Sequence, residues 1–369
     1  MPSPDILEAD APSGGILIVA AGGIGDAILL AHLFPRFAAL AEDGEPVTLA
    51  LHKDAGKAAF LFEGLAQVVT VDFARLHASF FYRRRVFGAL KGCHFRRAIS
   101  ADYKRHPKLD EALVLAAAAP DTRAMKARPW AKYDGRLQRS EARFTGIYDS
   151  GPALTDKILR WAGFLDWLGV DGAPPDLNFP PERRPPPAAT RRSLSSPARR
   201  PMILLAPFSA EKLKQCPAAL YAEILDHLGA DYDVVLTGAP NDLDGNPEFK
   251  ALLERPNVSF DGAAFEDLGP RLGAASLVIA ADSAAMHLAV AMGAPTLCLA
   301  SAAYVGEIVP YAPEITPANA HFIYTAMDCQ SCLGTCVHPA ENRMYPCVAA
   351  IDAAQAIEKI DIILNRDGR

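Results

Sequence analysis

The sequence has no stretch of about 18 uncharged apolar residues, the length a membrane-crossing helix needs, although half of its 369 residues are hydrophobic. Its most apolar run, Ile16 to Leu30, is broken by three glycines and Asp26. Met1 to Gly15 lacks a basic segment followed by an apolar core, so a secretory signal is not expected. A cytoplasmic protein is therefore expected, with its seven cysteines mostly as thiols. No repeat of solenoid period is present, which excludes a stacked-repeat fold. Net charge is −6, which excludes a polyanion binder by composition, so no nucleic-acid partner is expected. Three catalytic signatures are also missing. There is no G-x-S-x-G elbow for acyl transfer and no Gly-Lys-Ser/Thr phosphate loop. The dinucleotide fingerprint stops short, because the third glycine position is Ile28.

A chain of this length suits two domains, each able to bury its own core. The clearest boundary is Phe179 to Pro201, where prolines, serines and three Arg-Arg pairs leave no room for a helix or central strand. The expected division is a first domain over 1–179, a linker over 180–201 and a second domain over 202–369, which ends in a helix begun by the capping-box pattern at Asp352 and, in a GT-B fold, crossing back to domain one. Domain one opens with the buried-strand run Gly15 to Ala21, a glycine turn at Gly22, Gly23 and Gly25, and a helix kinked at Pro35. Strands are predicted at 46–51 and 67–72; residues 73–178 resist parsing apart from a helix over 156–168. Domain two alternates more cleanly, with strands at 202–206, 233–237, 257–260, 277–281 and 295–300, and helices after Pro217, over 265–275 and over 283–292. Such alternation predicts an α/β fold with parallel sheets covered on both faces. Two Rossmann-like halves facing each other across a cleft constitute the GT-B architecture.

Three motifs lie where parallel sheets bind ligands, at strand carboxyl ends. In the first, Gly22, Gly23 and Gly25 let another molecule approach the backbone, and Asp26 sits at a helix start that favours its anion. Asp26 is either a helix cap or a general base, with His32 along the same helix as the next candidate. In the second, Asp282, Ser283 and Ala284 open a helix whose free amides and dipole suit a phosphate. His287, four residues past Ser283, either leans over that site or is a satisfied core histidine. In the third, Ser209 and one lysine, Lys212 or Lys214, lie between a strand and a helix and could hold a diphosphate, although such lysines are often only solvated.

These motifs, Gly-Gly-Ile-Gly-Asp, Lys-x-x-Pro and Asp-Ser-x-x-Met-His-Leu-Ala in that order, resemble glycosyltransferase family nine, which includes the lipopolysaccharide heptosyltransferases. The resemblance implies an inverting glycosyltransferase that moves a sugar, heptose foremost, from a nucleotide-diphosphate sugar such as ADP-heptose to an acceptor hydroxyl. It implies that Asp26 is the base and that Ser209, Lys214, Asp282, Ser283, Ala284 and His287 bind the donor. Lys214 and His287 would stabilise the departing diphosphate, so no catalytic metal is expected. Asn241 and Asp242 fall near the family's ribose-contacting position. Two departures bear on donor identity: Ala284 stands where the family usually has Gly, and Cys216 where it usually has Trp. Rival readings are a sugar epimerase or oxidoreductase on a similar fold, and a weakly active sugar-nucleotide-binding module.

Two further features stand apart. Cys329, Cys332, Cys336 and Cys347 fall within 19 residues and suit a tetrathiolate zinc or iron site that pins a loop; disulfides or free structural thiols are the alternatives. Similar cysteine groups occur in some family members, including ones that glycosylate proteins, so a protein acceptor is the alternative to a glycan. Between Arg75 and Arg143 the chain carries 17 Lys and Arg against 6 Asp and Glu. Arg83, Arg84 and Arg85 head this region, which is either a solvated face or a patch for an anionic glycan, glycolipid or protein acceptor. Peripheral contact with the cytoplasmic face of the inner membrane is the related expectation.

Overall fold

The computed structural model describes residues 4–7, 13–184 and 200–365. The chain divides into two compact units, Met1–Pro175 and Asp176–Arg369. Leu177 and Phe179 are buried. The Phe179 amide donates to the Ala291 carbonyl at 2.8 Å, which ties this segment to unit 2 before the proline cluster begins. Most of the expected linker, 185–199, lies outside the described residues.

Unit 1 holds a six-stranded sheet in the order β3-β2-β1-β4-β5-β6. Its strands are β1 Ile16–Ala20, β2 Val47–His52, β3 Gln67–Val71, β4 Arg97–Ser100, β5 Asp121–Met125 and β6 Gly146–Tyr148. Unit 2 repeats the plan in the order β12-β11-β10-β7-β8-β9. Here the strands are β7 Met202–Ala206, β8 Asp233–Thr237, β9 Val258–Asp261, β10 Leu277–Ala281, β11 Thr296–Leu299 and β12 Ala320–Ile323. Every pairing within both sheets is parallel. β1, β7 and β10 are apolar throughout because helices cover both faces of the sheet at these central positions.

Each sheet reverses its strand order once. In unit 1 the chain winds from β1 outward to β3, then returns to place β4 on the other side of β1. In unit 2 the same reversal falls between β7 and β10. Loops leaving the two strands at such a point diverge and open a crevice at their carboxyl ends. The chemistry-bearing motifs follow β1, β7 and β10.

The last helix, Ala353–Ile363, is capped by Asp352, whose side chain accepts from the Ala354 amide at 3.0 Å. Ala353, Ala356 and Ile360 pack into the unit 2 core. The helix lies along Ala218–Leu228, where the His227 imidazole meets Asp361 at 2.9 Å. Among the described residues no helix is long and apolar enough to cross a membrane.

Candidate functional site

The crevice of unit 1 is built by the loops after β1 and β4. The chain turns from β1 into the helix Ile24–Ala38 through Gly22 and Gly23. A Cβ on Gly22 would sit 2.4 Å from the Cβ of Asp26, so only glycine lets the turn fold this tightly over that side chain. Asp26 occupies the third helical position. Its Oδ2 accepts from the Gly23 amide at 2.8 Å, tying the helix start, while its Oδ1 meets the Lys157 ammonium. Lys157 is delivered by the helix Lys157–Trp167, whose cap Asp156 accepts from the Ile158 amide at 2.8 Å. The Trp161 indole anchors that helix by donating to the Ala101 carbonyl at 2.6 Å, just past β4. His32 is buried in the packed face of its helix.

A second carboxylate shares the crevice. Asp102 follows β4 and accepts from the Ala21 amide at 2.6 Å, which joins the ends of β1 and β4. Burial pushes its carboxyl up to about 6; the Ala21 hydrogen bond and Lys157 oppose the rise and the Asp26 charge adds to it. The sequence motifs did not include Asp102 or Lys157. The unfolded carboxyl titrates near 3.8. Between that pH and about 6 the folded chain holds a proton the unfolded chain has released, so this group's contribution to stability falls as pH rises through the window. Asp102→Asn is expected to flatten the decline of the melting temperature between about pH 4 and pH 6. A slope identical to the parent's would assign the titration to another group.

The crevice of unit 2 has the same construction. Lys214 follows β7 and Asp282 follows β10, and their side chains form an ion pair of 3.0 Å. Both are largely withdrawn from water, with side-chain exposures of 13% and 4%. Ser283 begins the helix Ala284–Ala291 in extended conformation, and its buried Oγ makes no hydrogen bond to any described residue. The first amides of that helix have no intrahelical partner. A lysine, an unsatisfied hydroxyl and helix-start amides thus meet at one strand end, a donor set complementary to a phosphate. Replacing glycine by Ala284 keeps the amide; its φ/ψ is helical and needs no glycine. His287 is buried on the same helix with Nδ1 at 2.7 Å from the Tyr311 hydroxyl.

Lys214 is positioned from below. Its ammonium lies 4.0 Å from the centroid of the Tyr304 ring and 3.8 Å from Glu211. Glu211 accepts from the Tyr304 hydroxyl at 3.4 Å and from the Tyr345 hydroxyl. Ser209 Oγ accepts from the Glu211 backbone amide at 3.3 Å, and the Gln215 side-chain Nε2 donates to the Ser209 carbonyl at 2.9 Å, which shapes the loop that carries the lysine. Cys216 is buried in the core beneath this loop. Asp242 accepts from the Ala239 amide at 2.6 Å after β8, with Asn241 exposed beside it.

The cysteine-rich loop supports the same tyrosines. The Ser331 and Leu333 amides donate to the Ala302 and Ala303 carbonyls at 2.9 and 2.8 Å, directly before Tyr304. The Ala302 amide donates to Cys347 Sγ at 3.4 Å. Cys329 and Cys336 have their sulfurs 3.8 Å apart, while Cys332, Cys336 and Cys347 pack in the unit 2 core cluster. All seven cysteines are free thiols. A tetrathiolate site with metal–sulfur bonds of about 2.3 Å has edges of about 3.8 Å, so one edge of such a site is in place. The Cys329 thiol is pushed up to about 11, first by desolvation and then by its contact with Cys336, so thiolates here call for a cation between them. Asp328 and His338 also come within 4.8 Å of Cys329 and are paired to each other at 2.7 Å.

The basic region of unit 1 is divided by the fold. Arg96 pairs with Glu45 at 2.6 Å, Arg97 with Asp121 at 2.6 Å, and buried Arg105 faces Glu111 and Glu141 at 3.5 and 3.3 Å. Arg83 donates to the Leu76 and Lys108 carbonyls at 3.0 and 3.3 Å. Arg84 and Arg85 are exposed.

Residues 176–335 match the model of glycosyltransferase family 9 (heptosyltransferase). The match covers less than half of the chain, most of unit 2. That match supports a glycosyltransferase, and the matched residues include Ser209, Lys214, Asp282, Ser283 and His287. Among solved structures, E. coli ADP-heptose lipopolysaccharide heptosyltransferase II is 15% identical, with 96% of this chain and 100% of that one covered and a TM-score of 0.65. A family 9 glycosyltransferase from Veillonella parvula is 17% identical, with 97% and 99% covered and a TM-score of 0.69. The E. coli iron-containing dodecameric heptosyltransferase TibC, solved with ADP-D-β-D-heptose, is 14% identical, with 98% and 78% covered and a TM-score of 0.51. At these identities the likeness shows the fold, the GT-B class of two Rossmann-like units. No curated protein matches the chain by sequence.

Proposed function

We propose that the protein transfers a heptose from an ADP-heptose-type donor to a hydroxyl of an anionic glycan or glycolipid acceptor of the lipopolysaccharide kind, with inversion at the anomeric carbon. The observation that carries this reading is the lysine–carboxylate pair at the strand-order reversal of each unit, Asp26 with Lys157 and Asp282 with Lys214. In unit 2, Lys214, the Ser283 hydroxyl and the amides of Ala284 and Ala285 hold the diphosphate and take up the charge of the departing nucleotide. Asn241 and Asp242 face the ribose, and Ser209 orders the phosphate loop. His287 steadies the helix start through Tyr311. In unit 1, Asp26 accepts the acceptor's proton, its carboxylate held in place by the pairing with Lys157. Exposed Arg84 and Arg85 attract the anionic acceptor, and Arg83 holds their helix in place. No catalytic metal enters this scheme.

A second reading, transfer to a protein hydroxyl, draws support from the cysteine loop and the fold shared with an iron-containing heptosyltransferase. Zinc or iron held by Cys329, Cys332, Cys336 and Cys347 would pin the loop that braces Tyr304 and Tyr345. Elemental analysis of protein purified without chelator is expected to give close to one zinc or iron per chain. Neither metal above background would remove the metal from the proposal.

The transfer reading is tested by melting the protein against a panel of nucleotide sugars, then incubating the stabilising donor with lipopolysaccharide-core and protein acceptors. An ADP-heptose is expected to raise the melting temperature most, with about 2.7 kcal/mol added at 100 times its dissociation constant. The product's anomeric configuration, read by NMR, is expected to be inverted. Stabilisation by NAD alone would instead support an oxidoreductase, and binding without turnover a sugar-nucleotide-binding module.

A further inference from the structure

The helix Phe80–Gly92 presents an unusual outer face. Phe80 and Phe81 in its first turn are 70% and 79% exposed, and their rings meet edge to face at 5.9 Å. One turn on, Arg84 and Arg85 are exposed, and Lys91 follows on the same side two turns later. The opposite face, Tyr82, Val86 and Leu90, is buried in the unit 1 core, so the helix is fixed and its outer stripe is not hidden by its own unit. Between Phe73 and Ala101 the sequence has seven Lys and Arg and no Asp or Glu. The acidic groups that approach this helix are engaged: Asp5 accepts from the Tyr82 hydroxyl at 2.8 Å, and Asp72 pairs with Lys53 at 2.9 Å. Arg75 lies over the Tyr82 ring at 4.6 Å and adds an exposed cation on the flank.

We propose that the outer face of this helix docks on an anionic lipid bilayer, with Phe80 and Phe81 entering the interface and Arg84, Arg85 and Lys91 lying over the headgroups. Two exposed aromatic rings at a helix start lose water contact only when something apolar covers them. Cations one turn away, with no carboxylate among them, select a negative covering surface. A soluble protein partner rich in acids would meet the arginines but leave the rings without a counterpart; a bilayer supplies both at one depth. This surface shares Arg84 and Arg85 with the acceptor-attracting patch proposed above; Phe80 and Phe81, which that reading does not use, are what single out a bilayer.

The test is sedimentation of the full chain with vesicles of pure phosphatidylcholine and of equal parts phosphatidylcholine and phosphatidylglycerol. The parent is expected to bind the mixed vesicles and to release them at high salt, because the attraction is screened. Phe80→Ser with Phe81→Ser is expected to weaken that binding at least about tenfold, which needs the loss of only roughly 55 Å² of apolar contact at about 25 cal/mol per Å². Arg84→Gln with Arg85→Gln is expected to weaken it by about fivefold per residue. Both pairs are exposed, so melting temperatures should match the parent. The phenylalanine variant should also keep full turnover on a water-soluble acceptor, which separates lost docking from lost catalysis. Parent protein that ignores both vesicles, or a phenylalanine variant that binds as well as parent, overturns the proposal. A parent assembly that dissociates in the phenylalanine variant, without vesicle binding by either, would show that a second copy of the chain covers the rings.

Discussion

Asp26→Asn is expected to lower turnover by roughly 10²–10⁴-fold while nucleotide-sugar affinity stays within a few-fold of the parent. The substitution keeps the side chain's shape. Asn also caps helices about as well as Asp, so the bond from the Gly23 amide survives. What it removes is the negative charge that meets the Lys157 ammonium and the lone pair that accepts a proton. Both partners are partly exposed, so water takes over much of the solvation of Lys157 and the fold should persist. The groups proposed to bind the donor are all in unit 2, which is why donor affinity serves as the control. A folded Asp26→Asn protein with the parent's melting temperature and undiminished turnover would show that Asp26 is only a cap. Asp102, with its raised carboxyl, would then be the group to substitute next.

How far these crevices could be read from the sequence depended on where charge was placed. In unit 2 the strands β7, β8 and β10 were legible to the residue, because β7 and β10 are apolar throughout and β8 has an apolar centre, Val234 to Leu236, and each is followed by a loop and a helix. In unit 1, β4, β5 and β6 were not. β4 begins at Arg97 and β5 contains Asp121 and Arg123, a pattern that reads as solvated. The sheet register sets Arg97 beside Asp121, and Arg123 reaches the same carboxylate at 2.5 Å, so the charges pair along the sheet. β6 is a three-residue edge strand with no period to detect. The site followed the same division. Asp26, Lys214, Asp282 and Ser283 carried local signals, a glycine turn or a strand-to-helix junction. Lys157 lies 131 residues from Asp26 and reads as an ordinary first-turn lysine, so only the packing of Trp161 beneath Ala101 brings it to the carboxylate. Asp102 ends an apolar run, Ala98 to Ala101, that was too short to recognise as a strand. The arginine-rich stretch read as one patch, yet Arg83, Arg96, Arg97 and Arg105 hold the unit together and only part of the charge faces outward.

Lys214→Met is expected to weaken nucleotide-diphosphate-sugar binding about 10- to 100-fold, the worth of one charged hydrogen bond to phosphate. It should also destabilise the protein, because Asp282 is left as a buried carboxylate without its cation. Breaking such a pair from one side costs about 3–5 kcal/mol. These two effects have to be separated, since an unfolded protein binds nothing. Lys214→Met with Asp282→Asn removes both charges together, and replacement of a buried ion pair by uncharged groups is often near neutral for stability. The double variant is therefore expected to recover most of the melting temperature while donor affinity stays low. Glu211→Gln gives an intermediate case. It keeps both acceptor contacts to Tyr304 and Tyr345 in weaker, neutral form and removes the second carboxylate beside Lys214. Donor affinity should then fall less than in Lys214→Met. If the double variant binds donor as tightly as the parent once its stability is restored, Lys214 is a structural partner of Asp282, and the phosphate is held by Ser283 and the helix amides alone.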